Sequence, residues 1–155
     1  IKQEFEGTLQ AAAAGELATW PETARGRLAQ IILFDQMTRN MYRDTAQMYA
    51  YDDQALALTY GGIEKGHDQE LPIVQRVFFY MPLEHAENDD AQEMSIAKFE
   101  ALVEEKPEFE YYLDYAHKHK VIIDRFGRYP HRNGILGRET TPEEAEFLTQ
   151  PDSSF

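Results

Sequence analysis

The 155-residue chain contains no cysteine, which removes disulfide frameworks, thiolate metal clusters and cysteine nucleophiles together and fits a cytoplasmic home. Long apolar runs are also missing. The longest, from Val77 to Leu83, contains Pro82 and falls far short of the roughly 20 residues that a membrane-spanning helix needs, so no membrane partner is expected. Positive charge is scarce: 15 Lys and Arg stand against 28 Asp and Glu, for a formal net charge of -13. A molecule this acidic repels a phosphate backbone, which argues against nucleic-acid binding. No glycine pattern follows a strand, so phosphate-loop and dinucleotide-binding readings have no context, and no HExxH or GxSxG pattern occurs. His117 and His119 are two residues apart rather than three or four, so they do not set two ligands on one helix face. Neither a metal nor a cofactor is expected. The chain begins at Ile1 rather than Met, and an upstream segment is expected to have been removed.

What remains is 43% apolar, enough for one ordinary domain over residues 1–155. No stretch alternates with period two, whereas apolar residues recur at helical spacing throughout, which predicts an all-α fold. Phe5, Leu9 and Ala12 mark a first helix that stops near Gly15. Thr19 and Glu22 form a candidate capping box before Leu28, Ile31, Ile32 and Asp35, which share one face. A third helix follows Asp44 or Thr45, with Gly61-Gly62 as its end or a break. From Ile73 to Met81 the sequence is apolar nearly all round, as in a central buried helix, and Pro82 is expected to end or kink it. Asp90 and Glu93 offer another capping box, Pro107 opens the next helix, and Thr141-Pro142-Glu143-Glu144 combines N-cap, first-turn proline and N3 glutamate for a short last one. About six or seven helices with short connections predict a bundle or array of antiparallel neighbours.

The few basic residues are divided by type. Eight of the nine arginines fall between Arg25 and Arg43 or between Val121 and Arg138, and none of the six lysines does. Arginine rather than lysine implies that geometry matters, because the planar guanidinium makes two parallel bonds to a carboxylate or phosphate and tolerates partial burial. In the first window Asp35, Arg39 and Arg43 lie one above another at four-residue spacing, with Gln36 and Asn40 in the adjacent row. The second packs Arg128, His131, Arg132 and Asn133 into a glycine-hinged loop, where polar groups can converge on a ligand. Between the windows, Glu84 and His85 place a carboxyl beside an imidazole, a pairing suited to general acid–base work. His117 sits close to the apolar stripe of its helix, as a core histidine or a residue facing a cleft, whereas His119 is expected in solvent.

Three segments, FDQMTRNMYR at Phe34 to Arg43, YMPLEHAEN at Tyr80 to Asn88 and RFGRYPHRNGILGRETTPEE at Arg125 to Glu144, occur in that order. Together they make the chain resemble the bacterial domain-of-unknown-function family nine-two-four. The resemblance implies an all-α, tetratricopeptide-like fold over nearly the whole chain, without the family's aromatic-rich N-terminal segment. It implies no activity.

The leading expectation is a pocket for a small anionic molecule or an acidic peptide, lined by Gln36, Arg39, Asn40, His117, Arg128, His131, Arg132 and Asn133. An alternative is a hydrolase or transferase using Glu84 and His85 as catalytic groups in the same pocket. A third is a protein–protein interaction scaffold in which the arginines are structural and an apolar groove takes the partner.

Overall fold

A computed structural model describes residues 1–155. It is all-α, without a β-strand. The chain divides into two compact units, Ile1–Ala86 and Glu87–Phe155.

The first unit contains α1 (Lys2–Ala13), α2 (Ala24–Ile32), a π-helical turn (Leu33–Met37), α3 (Thr38–Met41), α4 (Asp52–Glu64) and α5 (Ile73–His85). One core cluster joins Leu9 and Ala12 of α1 to Leu33, Phe34, Met41, Tyr42 and Ala55. Fully burying each of the larger side chains contributes about 2 kcal/mol. Thr19 caps nothing with its side chain; residues Trp20–Glu22 form a 3-10 turn, and Thr23 is the N-cap of α2, accepting from Gly26 N at 3.1 Å. The proline at position 21 favours that separate turn over a longer helix.

Gly61 and Gly62 neither end nor break α4. They lie within it because another chain segment passes close by. A Cβ at Gly62 would stand 2.3 Å from Phe79 Cζ and 2.5 Å from Arg27 Cδ. Arg27, 7% exposed, crosses the unit here and donates to His67 Nδ1 (3.1 Å), the Leu58 carbonyl (3.0 Å) and the Pro21 carbonyl (2.8 Å). These are neutral acceptors, and burial lowers the guanidinium pKa from its ordinary value. Nor does Pro82 stop α5, which continues to His85. Proline removes one backbone donor and crowds the preceding turn; Thr59 Oγ1 donates to the Phe79 carbonyl at 3.0 Å and so adds a hydrogen bond to that turn.

The second unit is built on α6 (Asp89–Glu105) and α7 (Glu110–Phe126), followed by a 3-10 turn (Pro130–Arg132), α8 (Asn133–Leu136) and α9 (Pro142–Phe147). Asn88 rather than Asp90 is the N-cap of α6, accepting from Ala91 N at 2.8 Å. α7 ends where Gly127 turns left-handed at φ +68, a conformation open to glycine at little cost. Ile122, Ile123 and Tyr129 are buried there against Phe126 and Phe147. The capping box at Thr141 forms as expected: its hydroxyl accepts from Glu144 N, and the Glu144 carboxylate accepts from Thr141 N.

Gly62→Ala tests the packing of the first unit. The added methyl must displace both the Phe79 ring and the Arg27 stem, so it is expected to destabilise by about 2 kcal/mol, the usual cost of overpacking. An unchanged urea midpoint would show that neither contact is tight.

Candidate functional site

The π-turn decides what α2 presents. One extra residue per turn rotates the chain, and such turns occur often at functional sites. Here it carries Asp35 inward to 1% exposure. Its Oδ1 stands 2.6 Å from His85 Nδ1, at the end of α5, and forms an ion pair with Arg39 Nη1 at 2.9 Å. Gln36 donates its amide to Oδ2. Burial pushes the Asp35 pKa upward, but the His85 imidazole and the Arg39 guanidinium, helped by Gln36, more than offset it and hold the carboxyl down at about 2. Asp35 is therefore ionised at neutral pH and can only accept. It follows that His85 Nδ1 carries a hydrogen, and in the neutral ring Nε2 carries the lone pair.

Glu84 precedes His85 and is 5% exposed. Burial first, and the Asp35 charge second, push its pKa up to about 8. Two carboxyl groups around one imidazole are thus separated by environment into an anion and an acid, the pattern that assigns acid and base roles in enzyme sites. Arg39 lies between two carboxylates: besides Asp35 it meets Asp52 at the start of α4, with Nη1 to Oδ1 at 2.9 Å and Nη2 to Oδ2 at 3.0 Å. Burial opposes its charge, but Asp35 and Asp52 together raise its pKa. Gln36 also contacts Met81 Sδ, and exposed Asn40 donates to the Gln36 carbonyl at 3.0 Å.

The second arginine window builds a network of its own. Arg128 puts Nε and Nη2 on the two oxygens of Glu144, at 2.7 and 2.9 Å. This pair is the main reason the Glu144 carboxyl is held at about 2. Asn133, fully buried, donates to Glu144 Oε2 at 3.1 Å and accepts from Arg138 Nε at 3.0 Å. Arg138 in turn forks onto Glu87, whose Oε1 also accepts from Tyr129 N. Arg132 is buried with its guanidinium 4.6 Å from the Tyr129 ring centre, and half-buried His131 packs against the same ring. Arg128 and Asn133 are thus engaged by Glu144 of α9 and by neighbours in their own loop.

The two histidines of α7 exchange the places expected of them. His117 is exposed and His119 is 4% exposed. His119 Nδ1 bonds to the Tyr115 carbonyl at 2.8 Å, and its ring stacks on Phe155 with centroids 4.1 Å apart. Helical spacing explains it: His119 follows Ala116 and precedes Ile122 and Ile123 on the buried face.

Asp35 is the residue that sequence reasoning misses as a site group. Its place on an apolar face beside Leu28 and Ile31 is the available signal, because an acid there needs partners. What these features define is an all-α protein whose first unit carries two buried carboxyl groups, Asp35 and Glu84, beside a half-buried His85. The chain belongs to the family described as bacterial protein of unknown function (DUF924), whose pattern it matches over residues 1–152. It is similar to the solved structure of a protein of unknown function from Agrobacterium tumefaciens, at 45% sequence identity over 95% of this chain and 80% of that one, with a TM-score of 0.85. No curated protein matches it.

Two outcomes follow. Between pH 4.5 and 8 the folded chain keeps a proton on Glu84 that the unfolded chain releases, so this group makes stability fall as pH rises through that window. Asp35 acts oppositely, its contribution being lost as pH falls from 3.8 towards 2. Glu84→Gln removes the first term: relative to wild type, the variant should gain roughly 3 kcal/mol between pH 5 and pH 8 in urea unfolding. Parallel pH curves for the two proteins would show that Glu84 ionises normally. Arg128→Ala leaves Glu144 without its cation, and its melting temperature should drop clearly. An unaltered transition would return Arg128 to the group of ligand-binding candidates.

Proposed function

We propose that the Asp35–His85–Glu84 cluster performs general acid–base chemistry, in a hydrolase or transferase type of reaction on a small molecule. The observation that carries this reading is the 2.6 Å contact between His85 Nδ1 and a buried, ionised Asp35. A carboxylate in that place fixes the ring and stabilises the imidazolium that forms when Nε2 takes a proton, the division of labour found wherever an acid orients a catalytic histidine. Glu84, an acid up to about pH 8, supplies the proton that a departing group needs. His85 takes the proton of the attacking water or hydroxyl, Glu84 protonates the leaving atom, and solvent returns each group to its starting state.

The anion-binding reading is the weaker one, because Arg39 and Arg128 spend their forks on the chain's own carboxylates. A bound anion would have to displace Asp52 or Glu144. A tetratricopeptide-like scaffold is favoured by one observation, an apolar groove of about 410 Å³ lined by Phe5, Thr8, Trp20, Ala29, Ile32, Leu33 and Met37. Its walls are unlike those of an anion pocket and would suit an apolar helix face.

Hydrolysis of p-nitrophenyl acetate, an activated ester that reports a nucleophilic or basic imidazole whatever the natural substrate is, tests the acid–base reading. Wild type should exceed His85→Gln by about 100-fold or more, the usual worth of a positioned base, and Asp35→Asn should fall between them. Glu84→Gln should leave this rate nearly unchanged, because nitrophenolate departs without a proton; with an alkyl ester, whose leaving alkoxide must be protonated, the rate should decline above pH 8 as Glu84 ionises, and that limb should be absent in Glu84→Gln. Equal rates for wild type and His85→Gln would exclude His85 as the base and favour the scaffold.

A further inference from the structure

The acid–base reading gives no part to Asp52, yet the geometry around it is unusual. Asp52 opens α4, 17 residues beyond Asp35 in the chain, and takes both terminal nitrogens of Arg39. Arg39 Nη1 is at the same time 2.9 Å from Asp35 Oδ1, the oxygen that meets His85 Nδ1. Nη1 donates to the Asp35 backbone carbonyl at 2.9 Å and to Asp52 Oδ1, so the guanidinium lies between the two carboxylates, and Asp35 Oδ1 faces both it and the imidazole. Arg39 lies four residues after Asp35, the spacing at which a helical Asp–Arg pair closes. A guanidinium left to itself prefers the parallel two-bond pairing with a carboxylate. If Arg39 paired with Asp35 in that way it would claim both oxygens, displacing the Gln36 amide from Oδ2 and competing with the imidazole at Oδ1. Asp52 prevents this by holding the fork from the other side, while the Tyr49 ring, 5.5 Å from the guanidinium carbon, flanks it.

We infer that Asp52 is a positioning residue for the imidazole: by occupying the fork of Arg39 it keeps Asp35 Oδ1 turned to His85 Nδ1. This rests on the reading of His85 as the working base. The charged groups involved are Asp35, Arg39 and Asp52, with Glu84 beside the ring and Gln36 as the neutral donor. An ordinary ion pair tying α4 to α3 would account for the Arg39–Asp52 contact alone; it would not require the state of the His85 ring to depend on Asp52. The inferred role does.

The test is proton NMR of the full chain at neutral pH. The signal is the deshielded Nδ1–H resonance of His85, assigned by its absence in His85→Gln. In Asp52→Asn, exchange of this hydrogen with water should accelerate by about tenfold or more, as expected when a hydrogen bond to a charged group is weakened. Adding Arg39→Met to that variant removes the competitor for Oδ1 and should slow exchange back towards the wild-type rate, with His85, the larger of the two influences that keep Asp35 ionised, still in place. A merely structural pair predicts no such rescue. If Asp52→Asn does not fold, Asp52→Glu, which keeps the charge but moves the carboxylate by one methylene, should show the faster exchange instead. Wild-type exchange in the folded Asp52 variant, or loss of the signal without rescue in the double variant, would overturn the role of Asp52. Asp35→Asn separates the two ideas: survival of the resonance there would overturn the acid–base reading itself, whatever Asp52 does.

Discussion

An ion taken out of water and left unpartnered costs several kcal/mol, a large part of the net stability of a whole domain. Both units of this protein are arranged around that constraint. In the first, Asp35 is buried among apolar neighbours and is kept ionised by His85 and Arg39, while Arg39 is kept in place by Asp52. In the second, Glu144 is buried and answered by Arg128, Asn133 and the backbone of Thr141. Each pair also joins segments distant in sequence. Asp35 brings the π-turn to the end of α5; Glu144 ties the start of α9 to the loop after α7; Glu87 and Arg138 close the same loop from the other side. The loop from Gly127 to Thr140 is thus held by these carboxylates as well as by the burial of Tyr129.

The same constraint sets the Asp35 cluster apart from the other carboxylates. Where a carboxylate meets a guanidinium fork, as at Arg128–Glu144 or Arg138–Glu87, both charges are satisfied and neither partner exchanges protons near neutral pH. His85 is different, since a neutral imidazole offers one donor and one acceptor nitrogen rather than a fork of donors. Glu84 is different too: no guanidinium lowers its pKa, so burial and the Asp35 charge keep it an acid. An imidazole and a carboxyl that burial keeps protonated therefore stand at consecutive positions at the end of α5, over an ionised carboxylate. This combination is absent from the second network, and it is why the proposed chemistry is placed on Glu84 and His85 rather than on the arginines.

Much of this is legible in the amino-acid order. Helical periodicity locates every long helix, and the Thr141 capping box is readable because its partners are three residues apart. Glu84 and His85 stand out as adjacent residues of complementary chemistry. What local pattern cannot supply depends on neighbours far along the chain. Gly61-Gly62 looks like a helix end because the reason for it, the crossing of Arg27 and Phe79, lies 34 residues before and 18 residues after Gly61. Thr19 and Asp90 match the capping pattern as well as Thr23 and Asn88 do, and backbone geometry alone chooses between them. His117 and His119 trade places because a stripe read from a few apolar residues is uncertain by half a turn, while the contact of His119 with Phe155 involves the end of the chain. Asp35 reads as the i,i+4 partner of Arg39, which it is; its contact with His85, fifty residues away, has no local signature.

The division of basic residues by type now has a physical cause. Lys2, Lys106, Lys118 and Lys120 each pair with a nearby or solvent-facing acid, where an ammonium can remain hydrated, and Lys2 and Lys118 also lie over tyrosine rings. Arg27, Arg39, Arg128 and Arg138 each bond several acceptors in fixed directions and from partial or full burial. An ammonium could satisfy the charge at these places but not the geometry, because it has no planar fork. The arginine windows, which in sequence suggest a site built to attract an anion, are in the folded chain the means by which an acidic protein buries some of its own carboxylates. Arg39 helps to hold Asp35 as an anion and so gives the His85 imidazole a charged partner, while Glu84, with no such cation among the causes of its shift, is kept an acid by burial and by that same charge.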